Sequence, residues 1–169
     1  MRSIILTNIM RTAILRFCTI ILAGLLAGTS FGIWIGLNPM RYSASTYVEL
    51  QQHLVQALNS LMVLLVIAAT ILTAVSAYIQ QQDKPVFVAL LVASALFTAC
   101  ILISGFGNLP IQKEILKWGP NAFPANWTVY RDHWWTWHIM RTIAELGAFT
   151  LVAWTLVQGS LSTQASREP

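Results

Sequence analysis

The chain has 169 residues, of which 56% are hydrophobic and only 9% charged. A water-soluble domain carries about 25% charged residues, so these proportions exclude an ordinary soluble globular protein. The net charge of +4 does not point to nucleic acid, because the basic residues are scattered and form no groove-sized cluster.

Four apolar runs, residues 17–37, 54–78, 86–106 and 138–157, each reach the roughly 20 residues that a spanning helix needs. They predict an all-α integral membrane four-helix bundle, a single domain over residues 1–169 with the lipid bilayer as its solvent. Arg2, Arg11 and Arg16 precede the first run and favour a cytoplasmic N-terminus. That run is longer than a signal-peptide core. It carries Gly24, Gly28, Gly32 and Gly36, a four-residue step that predicts close backbone packing against a neighbour in the bundle.

Asn38-Pro39 marks a turn, and the second run begins with ELQQHLVQALNSLM. Glu49, Gln52, Gln56 and Asn59 recur at helical steps, with His53 and Ser60 on the edge of the same arc. The start of this helix is therefore expected to be wet on one side, facing the bundle interior or an opening. QQQDKP reads as a tight hairpin into the third run, which closes on the glycine-rich SGFGNLP. A loop over roughly 107–125 follows, in which KEILKW fits a short helix on the membrane surface. Lys84 and Arg167 fall on the same side as the N-terminus, whereas Arg41, Lys113, Lys117, Arg131 and Arg141 fall on the other. It is therefore the arginines ahead of the first run that favour both termini in the cytoplasm of a multi-pass plasma- or inner-membrane protein. Cys18 and Cys100 fall near opposite faces, too far apart for a disulfide.

Asn126 is a candidate N-cap for the last helix. From there to 157 the helix would be ~48 Å long at 1.5 Å per residue, more than the ~30 Å of hydrocarbon. Its first turns must then project, and Trp127, Tyr130, Trp134, Trp135 and Trp137 read as an interfacial aromatic belt.

Only this last run holds charges, Arg141 and Glu145. Trp134, His138, Arg141 and Glu145 are spaced 4, 3 and 4 apart and share one helix face. Ionisable groups in a span point inward and find partners, and Arg141 and Glu145 suit an i, i+4 pair. His53, Gln56 and Asn59 from the second span, and Asn108 from the exit of the third, reach the same end of the bundle. A bland account stands beside this one: Arg141 snorkels to headgroups, Glu145 neutralises it, and each histidine is a satisfied helix contact. No Gly-rich phosphate loop, CxxC, HExxH or GxSxG occurs. His133 lies five residues before His138 and points elsewhere, so no local metal pair is expected.

Asn108-Leu109-Pro110, Trp118, Pro124-Ala125-Asn126-Trp127, Arg131 and Trp134-x3-His138-x2-Arg141-Thr142 resemble the anthrone-oxygenase-like family of small four-span membrane proteins. QQHLVQALNSLM resembles that family's second-span entrance. Gln112 stands where the family often has Asn, Asn126 where it has Asp, and His138 where it has Asn. The resemblance implies oxidation of an aromatic ketone or hydroquinone by O2 without cofactor or metal. It implies His138 or His53 as base, with Arg141 and Asn108 holding the anion. Trp134 would stack on a quinone-like small molecule, Gln56, Asn59 and Arg131 would line it, and Glu145 would hold Arg141. Two other readings fit the residues. One is a non-catalytic protein binding a lipid, a quinone or a partner subunit; the other is a b-type haem protein with His53 and His138 as axial ligands.

Overall fold

The structure, a computed structural model, describes residues 2–119 and 122–165. Four long helices dominate it: α1 (Arg2–Gly36), α2 (Ala44–Ile79), α3 (Lys84–Ile103) and α5 (Trp127–Ala165). Each overlaps a segment long and apolar enough to cross a membrane: Met10–Arg41, Ala44–Ile79, Lys84–Ile115 and Trp127–Gln158. Sequence neighbours pack side by side, and α5 closes the ring against α1. Short connections enforce this up-down order. Asn38 Oδ1 accepts from the Met40 N–H at 3.0 Å in the first turn. Ser43 caps α2 through the Thr46 N–H, and Asp83 caps α3 through the Val86 N–H.

The core interleaves small and large side chains. Ala23, Leu26, Leu65, Ala69, Leu90, Ala93, Phe97, Ala148 and Val152 form one buried cluster drawn from all four helices. The opposite faces present Phe17, Leu64, Ile71, Val88 and Leu91 outward, the surface expected where the solvent is hydrocarbon.

Three expectations are corrected. Gly24 touches the Phe149 ring, but Gly28, Gly32 and Gly36 have open space where a Cβ would stand. The inward face of α1 is instead Ala23, Leu26, Ala27 and Ser30, and at helical periodicity the last three glycines fall away from it. The loop expected from about 107 begins later, because SGFGNLP is helical throughout. Ser104–Asn108 forms a π-helical turn in which the Leu109 N–H reaches the Ser104 carbonyl, and α4 (Leu109–Ile115) continues directly from it. Pro110 supplies no N–H, and a wider turn before it accommodates the missing bond. Finally, Trp134 and Trp135 are 4% and 9% exposed, so they are interior residues rather than members of a lipid-facing belt. Their rings find His138 inside the bundle, a polar partner that an interface would otherwise have to supply.

Above the same end of the bundle sits a second, aromatic cluster of Tyr47, Val48, Ile115 and Trp118, with Phe123, Trp127 and Tyr130 packed against it. Trp118 meets Tyr130 edge-on at 5.2 Å. Gln52 Nε2 donates to the carbonyls of Ile115 (3.1 Å) and Trp118 (2.8 Å), tying α4 and the chain after it to α2.

Candidate functional site

The last helix places its polar face inward because α1 and α3 flank it with small residues. His138 and Glu145 are 0% and 1% exposed, two turns apart on one stripe. His138 packs against two tryptophans: its ring lies near-parallel to Trp134 at 5.1 Å and 8° and to Trp135 at 5.6 Å and 20°. The two tryptophans are themselves 6.1 Å apart, so the three rings form a triangle. Its Nε2 lies 3.2 Å from the Ser30 carbonyl oxygen, and its Nδ1 lies 3.1 Å from Arg141 Nη2. A guanidinium only donates and a carbonyl only accepts. The ring is therefore neutral, with its proton on Nε2 donated to Ser30 and its Nδ1 accepting from Arg141.

Arg141 is the hub. Besides His138 it reaches Ser104 Oγ at 3.5 Å, and its Nε stands 3.5 Å from Glu145 Oε1. That pairing is Coulombic contact, since Arg141 Nε has no hydrogen-bond partner. Glu145 Oε2 is likewise buried without a partner. The Ser30 hydroxyl stands close to the Glu145 carboxylate, but the two do not meet in hydrogen-bond geometry. Asn108, 1% exposed, donates from Nδ2 to the Trp134 carbonyl at 3.4 Å, leaving its Oδ1 unpaired. Unsatisfied buried polar atoms each cost about 1–3 kcal/mol, and here they gather around one space. A cavity of about 40 Å3 lies between Leu26, Met62, Asn108, Arg141 and Glu145, bounded further out by Asn59 and Gln112.

The residues singled out in the sequence divide into two groups. His138, Arg141, Glu145, Asn108 and Asn59 come together, with Trp134 behind His138. His53 and Gln56 do not join them; both are exposed. His53 and His138 therefore do not face each other as a pair of axial ligands. Arg131 turns aside to Asp132 (2.7 Å) and over the Trp127 ring (5.1 Å). Among the described residues, no group of three or more His, Cys, Asp or Glu side chains is arranged to hold a metal. Ser30 and Ser104 are not singled out by the sequence pattern, and Gln112 enters it only as a departure from the family motif. Ser30 was within reach, since it continues the 23-26-27 step of the buried face of α1. Ser104 and Gln112 were not, because the π turn that brings them inward looks like a loop in the sequence.

The fold and this site define a four-span membrane protein with a largely buried, incompletely satisfied ion pair between its helices. The anthrone oxygenase family profile matches residues 52–151, more than half of the chain, and the protein belongs to that family. No curated protein and no solved structure matches the chain.

Proposed function

We propose that the protein is a cofactor-independent oxygenase that converts an activated aromatic CH2 group, as in an anthrone, to a carbonyl with O2. The carrying observation is the cavity on which the Arg141 guanidinium and a partnerless Glu145 carboxylate oxygen converge. With both termini in the cytoplasm, that cavity sits toward the outer face of the membrane.

The geometry favours a different division of labour from the one the histidines suggested. Both nitrogens of His138 are engaged and its ring is enclosed, so it serves as a positioning residue that aims Arg141. His53 stands apart. Glu145 lines the open space and keeps one carboxylate oxygen outside any hydrogen bond, and it takes the proton from the CH2 carbon. The carbanion passes one electron to O2, and the superoxide forms beside Arg141, which stabilises it electrostatically in a site largely closed to water. The radical pair then joins in a C–O bond. Protonation of the outer oxygen gives the hydroperoxide; loss of the second C–H proton breaks the O–O bond and releases water. The sum is R2CH2 + O2 → R2C=O + H2O, with carbon oxidised and dioxygen reduced.

The test is O2 uptake by purified protein in mild detergent, given a panel of anthrones and hydroquinones with autoxidation subtracted. Uptake in the wild type that disappears in a folded Glu145→Gln variant supports the reading. A wild type inert toward every compound sinks it, and returns the chain to binding a lipid, a quinone or a partner subunit.

A further inference from the structure

The cavity is too small for the molecule it would have to serve. Its 40 Å3 holds about three water-sized groups at ~10–15 Å3 each, and no three-ring compound enters it whole. Its walls are also unequal. Leu26, Met62, Asn108 and Glu145 are buried, whereas Val63 is 41% exposed and Asn59, Val66, Leu109 and Gln112 are half-buried. Those five form the cavity's outer wall, so it opens sideways, between α2 and the junction of the π turn with α4. The mouth lies on a helix pair that faces lipid, beneath the aromatic cluster that covers the end of the bundle.

We propose that the site is loaded laterally from the bilayer by a flat, lipid-soluble aromatic ligand that bears an oxygen on its trailing edge. Only the reacting CH2 edge and O2 occupy the chamber beside Glu145 and Arg141. The ring system stays in the mouth against Val63, Val66 and Leu109. Asn59 and Gln112 stand on either side of that mouth, and neither side chain is engaged by another described residue. Their amide N–H groups are donors for the trailing oxygen, where negative charge collects once the opposite carbon loses its proton. Two neutral amides suit this position, because they can solvate an oxyanion at the hydrocarbon boundary without themselves carrying charge there. The inference rests on the oxygenase reading for the identity of the ligand, but not for the existence of the opening.

The experiment uses full-length protein in phosphatidylcholine vesicles, with anthrone as the probe. A bimane fluorophore is attached at Val63→Cys in a Cys18→Ser background. The control site is Val75→Cys, equally exposed at 41% and ~18 Å further along the same helix. Saturable quenching by anthrone at position 63 and not at 75 is the expected result. Equal quenching at both positions would show only that anthrone dissolves in the lipid, and would overturn the proposal. Oxygen uptake supplies the second arm. Val63→Trp should raise KM about tenfold and leave kcat nearly unchanged, the signature of binding lost equally from the ground state and the transition state. Gln112→Leu should lower kcat as well. An unchanged KM in a folded Val63→Trp protein would remove the portal. Saturable quenching at position 63 with no oxygen uptake would keep the portal and discard the oxygenase.

Discussion

The two ends of the bundle each bury an arginine among polar side chains, and they do opposite things with it. At the N-terminal end of α1, Arg16 hydrogen-bonds Gln80, a neutral amide. Gln80 in turn donates to the Ser76 carbonyl at 3.1 Å, and Ser76 meets Thr19 at 3.4 Å. The space between these residues and Thr155 is closed even to a water-sized sphere. At the other end, Arg141 faces a carboxylate that keeps one oxygen unpaired, and an open cavity remains beside them. Each arginine keeps its Nε without a hydrogen-bond partner, so the ends differ in the space beside the charge and in the carboxylate that only the second end holds. A charge pair that borders empty space keeps the means to meet a second molecule.

Substitutions at the two ends should therefore separate chemistry from stability. The largest effect is expected from Glu145→Gln, which keeps the shape of the side chain and removes the proton acceptor. Oxygen uptake should fall by about 10²–10⁴-fold, the usual contribution of a positioned base. The loss of thermal stability in detergent should stay below that of Arg141→Leu, because Arg141 keeps His138 and Ser104 as acceptors. A variant that keeps more than about a tenth of the activity would assign the proton transfer elsewhere, with His138 the first candidate.

Removing only the cation should instead strike stability. Arg141→Leu leaves Glu145 buried with no counter-charge, and breaking such a pair costs about 3–5 kcal/mol. The double change Arg141→Leu/Glu145→Leu should recover most of that loss and show no uptake. If the single and double variants melt together, the pair is not coupled as its geometry indicates.

A smaller effect is expected where α5 crosses the π turn. A Cβ on Gly107 would lie 2.4 Å from a Trp137 ring carbon, so Gly107→Ala must displace that tryptophan at a cost of about 1–3 kcal/mol. Gly28→Ala meets open space and should gain up to about 1 kcal/mol of helix stability. Denaturant titration of the two proteins in the same detergent compares them directly. Equal behaviour would mean that the π turn yields to accommodate the methyl group.

The smallest change is expected at the closed end. Arg16→Met combined with Gln80→Met replaces a hydrogen-bonded pair, one of whose nitrogens is unpartnered, with apolar side chains of similar length. The melt should shift by no more than about 1 kcal/mol, and oxygen uptake should be retained. A loss of uptake there would mean that the two ends are coupled through the helices.

Much of this architecture was legible in the residues alone. Hydrocarbon admits only helices whose backbone is satisfied internally, so four long apolar runs specify four spans with little left to choose. Arg141, Glu145 and His138 stood out because a charge in such a run demands a partner, and 3.6-residue periodicity placed all three on one face. What the sequence could not say was which nearby groups become partners. The exposure of His53 and the burial of Gln51 (2% exposed) depend on how α2 rotates against its neighbours. That rotation is set by packing of side chains from three other helices. The outward turn of Gly28, Gly32 and Gly36 follows from the same competition, in which Ala23, Leu26 and Ala27 provide the closer fit.

The number of spans, the all-helical fold and the polar face of the last helix were determined by the sequence, because each follows from local composition and period. Tertiary structure alone decided the tautomer of His138, the orphaned oxygen of Glu145 and the sideways mouth at Asn59 and Gln112. Each of these depends on distances between segments far apart in the chain. The π turn contributes most here, since one wider turn redirects α3 and carries Ser104, Asn108 and Gln112 to the cavity.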